Sequence, residues 1–317
     1  MNLAVQTTRN LLMVRPARFG PNAQTAASNT FQGPADRPPS AIRATALAEF
    51  DAMAGDLQAA GVRLLIVEDT PEPVKPDAVF PNNWITTHAN GDIFLYPLEA
   101  SGRRAERRME IVDALSVEYG FTVGRIRDLS VYERENRFLE GTGSMVLDRI
   151  HRVAYAARST RTHPDLVRLF AREAGYEPCI FDTLGQGGRP VYHTNVMLAI
   201  GRGFAVICAA AIDDVRQREA VLERLKSTER QIIDISMQQM QAFAGNLLEV
   251  QAGRGEPLIV LSQTARDALT ATQRSTLQNH GRLLSVSIDI IERVGGGGAR
   301  CMLAEIFLPV AGSTGDR

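Results

Sequence analysis

The sequence predicts a single α/β domain. Short apolar runs typical of strands alternate with amphipathic segments typical of helices along all 317 residues. No predicted helix exceeds about twenty residues, and no linker rich in proline, glycine or serine divides the chain. Because 44% of the residues are hydrophobic, the chain is able to bury a substantial core. We therefore expect one domain over residues 1–317, with a frayed tail at 311–317.

Each predicted strand is an apolar run that glycine, proline or charged residues bound. The predicted strands are residues 11–16, 62–67, 92–96, 145–148, 153–157, 179–181, 191–200, 203–208, 257–261, 283–288 and 303–308, with a further strand entered through 243–250. The predicted helices, which have apolar residues three or four apart, are 41–61, a segment that opens at 103–108, 164–175, 212–225 and 265–277. In the helix after residue 108, Met109, Val112 and Leu115 are expected to face the interior.

Charge and cysteine content exclude several classes of protein. With 35 basic and 36 acidic residues, the net charge of −1 gives no reason to expect nucleic-acid or membrane-surface binding. No apolar run approaches the roughly 18 residues that span a bilayer, and the N-terminus lacks the pattern of a signal peptide. Cys179, Cys208 and Cys301 are odd in number and widely spaced, which predicts neither a disulfide framework nor a Cys-x-x-Cys metal site. These observations predict a soluble, cytoplasmic protein.

Residues 295–302, Gly-Gly-Gly-Gly-Ala-Arg-Cys-Met, are the most distinctive stretch of the chain. Glycines allow a ligand to approach the main chain closely, although a flexible loop beside a buried cysteine also fits this pattern. The Gly-Gly-Gly-x-Arg-Cys-Met segment resembles the nucleophile motif of the guanidino-group-modifying superfamily. Its members include arginine deiminases, dimethylarginine dimethylaminohydrolases and amidinotransferases. The resemblance implies that Cys301 is a catalytic nucleophile.

Two further segments resemble catalytic elements of that superfamily. Glu140-Gly-Thr-Gly is similar to its acidic-Gly-Gly element, and His193 precedes an apolar run as the general acid/base histidine does. The resemblance implies that His193 moves protons and that Glu140 orients its imidazole. From the residues alone, an exposed glutamate before a turn and a structural histidine remain alternatives.

Other segments resemble elements that hold the substrate. Arg103 lies in an Arg-Arg-x-Glu element and Arg161 in a Ser-x-Arg-Thr element, which implies that both bind the α-carboxylate of an amino acid. Two alternatives remain: the neighbouring Arg104 could be the binding residue, or this basic cluster could be only a solvated helix face. The segment from Asp77 to Asn83 is similar to the one that supplies carboxylates to a substrate guanidinium, which implies that Asp77, Asn82 and Asn83 bind substrate.

The matched elements run in family order from Val14 to Phe307. The resemblance implies a five-bladed α/β propeller, or pentein, of ββαβ units around a central active site, formed by one catalytic domain. It also implies a small amino-acid substrate and a mechanism that needs no metal or organic cofactor. The sequence leaves monomer and homo-oligomer as alternatives.

The departures from the family pattern concern charge. Asn82 and Asn83 stand where relatives carry an acidic pair, and Asn195 replaces the aspartate of a His-x-Asp element. A buried cation needs carboxylate partners, whereas an asparagine amide can both donate to and accept from a neutral ureido group. Residues 14–16 (Val-Arg-Pro), 80–83 (Phe-Pro-Asn-Asn) and 141–144 (Gly-Thr-Gly-Ser) also resemble elements of the citrulline-hydrolysing branch of the superfamily. The sequence therefore predicts hydrolysis of citrulline to ornithine, carbon dioxide and ammonia through a covalent Cys301 thioester.

Three alternatives remain at the level of the sequence. Asp77 or Asp92 would restore a guanidinium site and favour an arginine or dimethylarginine deiminase. An amidinotransferase would share the same cysteine and histidine but must admit an acceptor amine. A non-catalytic amino-acid-binding relative would leave the thiol of Cys301 unreactive.

Overall fold

The computed structural model describes residues 5–310, and the strands in that range pair into five three-stranded sheets. The strands are β1 (Asn10–Arg15), β2 (Arg63–Glu68), β3 (Ile85–Thr87), β4 (Ile93–Leu95), β5 (Ile126–Asp128), β6 (Val146–Asp148), β7 (Val153–Ala157), β8 (Glu177–Phe181), β9 (Leu198–Ile200), β10 (Phe204–Ile207), β11 (Gln231–Asp234), β12 (Leu248–Gln251), β13 (Pro257–Ser262), β14 (Arg282–Val286) and β15 (Ala304–Glu305). Most are apolar and buried along most of their length, as expected for small sheets packed among other elements.

The α-helices within residues 5–310 connect these strands or cap the sheets. They are α1 (Ala23–Ala26), α2 (Pro39–Ala59), α3 (Met109–Val117), α4 (Gly141–Ser144), α5 (Pro164–Ala174), α6 (Val215–Lys226), α7 (Met237–Gln241), α8 (Gln263–Ala268) and α9 (Ala271–Gln278). No helix in this part of the chain is long and apolar enough to cross a membrane.

All five sheets share one topology. The middle strand is antiparallel to the strand that precedes it and parallel to the one that follows, as in β3-β4-β5 and β6-β7-β8. A parallel connection needs a crossover, and a helix such as α3 or α5 supplies it. In the remaining sheet β15 pairs antiparallel with β1, so both ends of the described chain share one sheet. The predicted ββαβ units and five-bladed α/β architecture are confirmed.

A short turn or single helical turn leads into the first strand of each sheet, and these five turns meet. They are Pro81–Asn83, α4, Thr194–Val196, residues 243–246 and Ala299–Met302. Consecutive turns are joined by the hydrogen bonds Thr142 Oγ1 to Asn82 O (3.4 Å), Thr194 Oγ1 to Ser144 O (2.6 Å), Asn246 Nδ2 to Asn195 O (2.9 Å) and Arg300 N to Asn246 Oδ1 (3.1 Å). The fifth turn packs against the first, and the five form a closed ring.

The structure differs from the predicted elements where polar side chains bond the backbone. The predicted strand 191–200 is interrupted by the turn Thr194–Val196, because the Thr194 hydroxyl binds Ser144 O and accepts from Ala157 N. The predicted helix 265–277 divides into α8 and α9, since Thr270 caps the second helix.

Three further expectations concern the helix that opens at 103–108, the strand 303–308 and the tail 311–317. Met109 was expected inside, yet it is 44% exposed at the first position of α3, and residues 103–106 belong to a separate 3₁₀ turn. Of the predicted strand 303–308, only Ala304–Glu305 pairs with a neighbour. The predicted frayed tail, 311–317, lies outside the described residues.

Thr194 gives a test of the ring of turns. Thr194→Val keeps the shape but leaves Ser144 O and Ala157 N without their buried partner, which should cost about 2–5 kcal/mol of unfolding free energy. Chemical denaturation checks this, with Thr122→Val at an exposed position as the control. Equal stability of both variants would contradict the proposed importance of the ring.

Candidate active site

A small cavity lies beside the ring of turns, and most of the predicted site residues line it. Its wall includes Asp77, Asn83, Arg103, Arg161, His193 and Cys301. Glu140 lies behind His193 and is fully buried, and Asn82 is buried beside Asn83 without being part of the wall. The eight predicted residues, which come from distant parts of the sequence, are therefore brought to one place.

Cys301 lies in the turn Ala299–Met302, just after the glycine segment. Gly296 adopts the left-handed conformation (φ +67°), which reverses the chain ahead of the cysteine. The Cys301 Sγ lies 3.3 Å from Asn246 Nδ2 and 3.5 Å from Asn195 Nδ2. Burial raises the pKa of the Cys301 thiol, although these amides and the Arg300 charge act in the opposite direction. The resting cysteine is thus a neutral thiol with two amide donors in place to receive a thiolate.

His193 and Glu140 form a buried pair in which His193 Nε2 lies 2.8 Å from Glu140 Oε2. Burial opposes ionisation of Glu140, but Arg161 and His193 outweigh it and hold the carboxyl pKa well below its usual range. Burial also lowers the pKa of His193 to about 4, against the raising effect of Glu140. An ionised carboxylate only accepts hydrogen bonds, so Nε2 carries the proton and Nδ1 is the basic atom of a neutral imidazole.

Arg103, rather than Arg104, belongs to the site. Its Nε and Nη2 each donate to one carboxylate oxygen of Glu106 at 2.9 Å, and its Nη1 donates to Asn83 Oδ1 at 2.9 Å. Arg104 is one-third exposed and bonds to Leu98 O outside the cavity. The fork of Arg103 is therefore occupied by protein groups.

The segment 22–29, which contains α1, supplies Thr25 and Asn29 to the cavity wall. Arg161 donates from Nη2 to Thr25 O (3.1 Å) and Ser28 Oγ (2.8 Å), while its Nη1 lies 3.4 Å from Glu140 Oε2. Asn29 Nδ2 donates to Gly296 O at 3.1 Å. The segment 22–29 is thus bound both to an arginine of the cavity wall and to the glycine segment that precedes Cys301.

Asp77 is the carboxylate that lines the cavity directly. Its Oδ2 accepts a hydrogen bond from Asn22 Nδ2 at 2.8 Å and lies 3.6 Å from Arg103 Nε. Its Oδ1 is buried with no hydrogen-bond partner among the described residues. Burial raises the pKa of Asp77, and the Arg103 charge opposes this. Asp92, the other carboxylate considered from the sequence, binds Arg127 at 3.1 Å and is not part of the cavity wall.

Sequence reasoning missed several residues of the site. Asn246 was not identified, and Asn195 was noted only as a departure from a motif, although both contact Cys301 Sγ. Glu106 and Asn22 are the partners of Arg103 and Asp77. A signal for Asn246 existed: it precedes an apolar strand, as Asn83 and Asn195 do, and so occupies a related place in the ring.

No group of three or more histidine, cysteine, aspartate or glutamate residues within the described range 5–310 is arranged to hold a metal ion.

The fold is shared with enzymes of known structure. The N-terminal domain of ArgZ, an arginine dihydrolase from the ornithine–ammonia cycle in cyanobacteria, superposes with a TM-score of 0.73 at 16% identity, over 95% of this chain and 99% of that domain. Full-length ArgZ is covered over only 42% of its length, by 97% of this chain, at 16% identity and a TM-score of 0.73. DDAH from Pseudomonas aeruginosa, solved with citrulline, gives a TM-score of 0.65 at 14% identity over 95% of this chain and all of the other.

The fold and the site define a member of the guanidino-group-modifying superfamily with the pentein architecture. Residues 15–308 match the family model described as N,N dimethylarginine dimethylhydrolase, eukaryotic, and the chain belongs to that family. It is accordingly a hydrolase that acts on carbon–nitrogen bonds. A comparison with curated protein sequences gives no match.

Gly143 provides a test of close packing in the site. A Cβ at this position would lie 2.6 Å from Asn83 Nδ2 and 2.7 Å from His193 Nδ1, nearer than such atoms approach. Gly143→Ala should therefore displace both side chains and lower kcat/KM for hydrolysis of the substrate by about a hundredfold or more. Gly55→Ala, in open space on α2, is the matched control and should retain full activity. Unchanged activity in Gly143→Ala would contradict this geometry.

The raised pKa of Cys301 gives a second test. Only the thiolate reacts with iodoacetamide, so the alkylation rate of Cys301 should rise with pH and show no plateau at or below about pH 9. Mass spectrometry of the peptide that contains Cys301 measures the rate, and Cys301→Ala is the blank. A plateau below pH 8 would instead indicate a thiolate in the resting protein.

Proposed function

We propose that this protein hydrolyses the ureido group of citrulline, giving ornithine, carbon dioxide and ammonia. The observation that carries the proposal is Asn83, a neutral amide in the cavity wall that holds Cys301. Both citrulline and arginine are amino acids of similar shape, so the choice between them depends on the charge and hydrogen bonding around the reacting carbon.

In the first half-reaction Cys301 acts as the nucleophile. As the thiol proton passes to His193, Sγ attacks the ureido carbon and the bond from that carbon to the substrate Nδ breaks. His193 delivers the proton to the departing nitrogen, so ornithine leaves as an amine and a carbamoyl thioester remains on Cys301. Glu140 stabilises the imidazolium that forms in between, as the third member of a catalytic triad does. The neutral thiol and neutral imidazole of the resting site suit this transfer.

In the second half-reaction water replaces the amine. His193 removes a proton from a water molecule that attacks the thioester carbon, the carbon–sulfur bond breaks, and the thiolate of Cys301 is reprotonated. The carbamate that leaves decomposes to carbon dioxide and ammonia. The Asn195 and Asn246 amides, which lie within 3.5 Å of Sγ, stabilise the thiolate in both halves.

Arg161 and Asp77 are proposed to hold the amino-acid end of the substrate. The guanidinium of Arg161 suits the α-carboxylate, and the unpartnered Oδ1 of Asp77 suits the α-ammonium group. These contacts would be the same for citrulline and arginine. They fix the position of either molecule without distinguishing between them.

Citrulline and arginine differ at the reacting end of the side chain, which is a neutral ureido group in one and a guanidinium in the other. A buried guanidinium needs a carboxylate close by, and without one it loses several kcal/mol of solvation free energy. Asn82 and Asn83 carry no negative charge to balance a guanidinium. Their amides can, however, hydrogen-bond a neutral ureido group.

An arginine or dimethylarginine hydrolase is the second candidate, and the position of Asp77 in the cavity favours it. In that case Asp77 would pair with the substrate guanidinium instead of the α-ammonium group. The similarity of fold to an arginine dihydrolase and to DDAH fits either substrate. An amidinotransferase and a non-catalytic binding protein have no specific contact in the cavity that favours them.

A product assay tests the proposal. Purified protein is given citrulline, arginine and dimethylarginine in parallel, and Cys301→Ala is the control. We expect ornithine and ammonia from citrulline alone, and a loss of at least about a thousandfold in Cys301→Ala, because the covalent step requires the thiol. Citrulline or ornithine formed from arginine, or citrulline formed from dimethylarginine, would contradict the proposal, as would the absence of turnover with all three.

A further inference from the structure

We infer that Tyr192 is a positioning residue: its ring fixes the imidazole of His193, and its hydroxyl fixes the glycine segment ahead of Cys301. This inference rests on the roles proposed for His193 and Cys301, and not on the choice between citrulline and arginine. One side chain then sets the position of the proposed acid/base relative to the proposed nucleophile.

The ring of Tyr192 lies against the imidazole of His193, although the two residues are consecutive. In an extended chain neighbouring side chains point to opposite sides, but the chain bends at Tyr192 before it continues in extended conformation at His193. The two ring centroids lie only 4.4 Å apart, with 32° between the ring planes. Glu140 holds Nε2 of the same imidazole at 2.8 Å. Because a single hydrogen bond leaves the imidazole free to tilt about it, the buried ring of Tyr192 restricts the motion that remains.

The hydroxyl of Tyr192 contacts the segment that precedes the nucleophile. It donates to Gly296 O at 2.7 Å, and Gly296 is the glycine whose left-handed conformation reverses the chain ahead of Cys301. The same carbonyl accepts from Asn29 Nδ2 at 3.1 Å, so both of its acceptor positions are used. Glycines have no side chains of their own to hold the segment in place. The Tyr192 hydroxyl therefore supplies one of the two bonds that fix this carbonyl.

Tyr192 acts through its neighbours and does not take the proton itself. Burial and the nearby Cys301 hold the pKa of Tyr192 well above its usual range, so its hydroxyl remains a donor to Gly296 O. The face of an aromatic ring attracts a cation, and the guanidinium carbon of Arg161 lies 5.1 Å from the ring centroid. In the proposed mechanism the imidazolium of His193 forms beside the same ring. The ring therefore stabilises a charge that is present only while the proton is in transit.

Steady-state kinetics of two variants test this role. Tyr192→Phe keeps the ring and nearly the same volume, so it isolates the hydroxyl. We expect kcat to fall about tenfold, the equivalent of one lost hydrogen bond, while KM changes by no more than about twofold. Tyr192→Leu also removes the aromatic ring and should lower kcat about tenfold further. Tyr155→Phe is the matched control and should retain full activity. Tyr155 is fully buried, and its hydroxyl has no hydrogen-bond partner within residues 5–310.

Alkylation of Cys301 tests the link to the glycine segment without any need for turnover. Cys301 is 3% exposed and Cys208 is fully buried away from the site. The rate of iodoacetamide alkylation of Cys301, divided by that of Cys208 in the same sample, therefore reports loosening near the site and not loosening of the whole protein. With Gly296 O held by one bond fewer, this ratio should rise about threefold or more in Tyr192→Phe and stay unchanged in Tyr155→Phe.

Full kcat in Tyr192→Phe would overturn the inference and leave Tyr192 as a core residue. A loss seen in KM alone would also overturn it, because Tyr192 would then act on substrate binding through Arg161. The proposed function fails separately, if the unmodified protein hydrolyses arginine or dimethylarginine but not citrulline; the variants are then compared on the substrate that reacts. If none is hydrolysed, the alkylation ratio decides, and an unchanged ratio in Tyr192→Phe overturns the inference.

Discussion

The closed ring of five turns is the constraint on which the site depends. Each turn belongs to a different sheet, and side-chain to main-chain hydrogen bonds such as Thr194 Oγ1 to Ser144 O and Asn246 Nδ2 to Asn195 O join neighbours. The first and last strands close the arrangement by sharing a sheet. Catalysis requires side chains to be positioned to well within 1 Å. Residues from five sheets can therefore act together in one site only if the sheets are held together in this way.

Burial within the ring sets the charges of the site. It lowers the pKa of His193 to about 4 and raises that of the Cys301 thiol, so the proposed proton-transfer pair rests in its neutral form. Glu140 remains ionised because Arg161 and His193 surround it. A neutral pair costs little to bury, and in the proposed mechanism it forms charges only when substrate is present to receive the proton.

Much of the fold is visible in the sequence because apolar runs and helical spacing report burial directly. The exceptions are short turns such as Thr194–Val196, where one hydroxyl binds two main-chain groups that lie close only in the folded chain. The number of sheets and their ring came from the resemblance, since periodicity describes each element separately from its neighbours in space.

The candidate site was likewise predictable from the sequence only in part. Distinctive motifs identified Cys301, His193 and Glu140, and the structure places them together. Asn246 has no motif of its own, and its contact with Cys301 arises only when the turns meet. For Arg103, the sequence identified the residue but not its partner. In a 3₁₀ turn, side chains three residues apart lie one above the other, and this places Glu106 across the guanidinium.

The distribution of charge around Arg103 finally explains why an amide suits position 83. Glu106, Asp77 and Glu140 already supply three carboxyl groups within 3.6 Å of one guanidinium. Burial raises the pKa of Glu106 to about 7 and also raises that of Asp77, although Arg103 opposes both changes. A fourth carboxylate at residue 83 would therefore be stabilised only when a cationic substrate is bound. With the neutral amide and the proposed ureido substrate, the net buried charge would stay constant as substrate enters, and the hydrogen bond from Arg103 to Asn83 would not need to break.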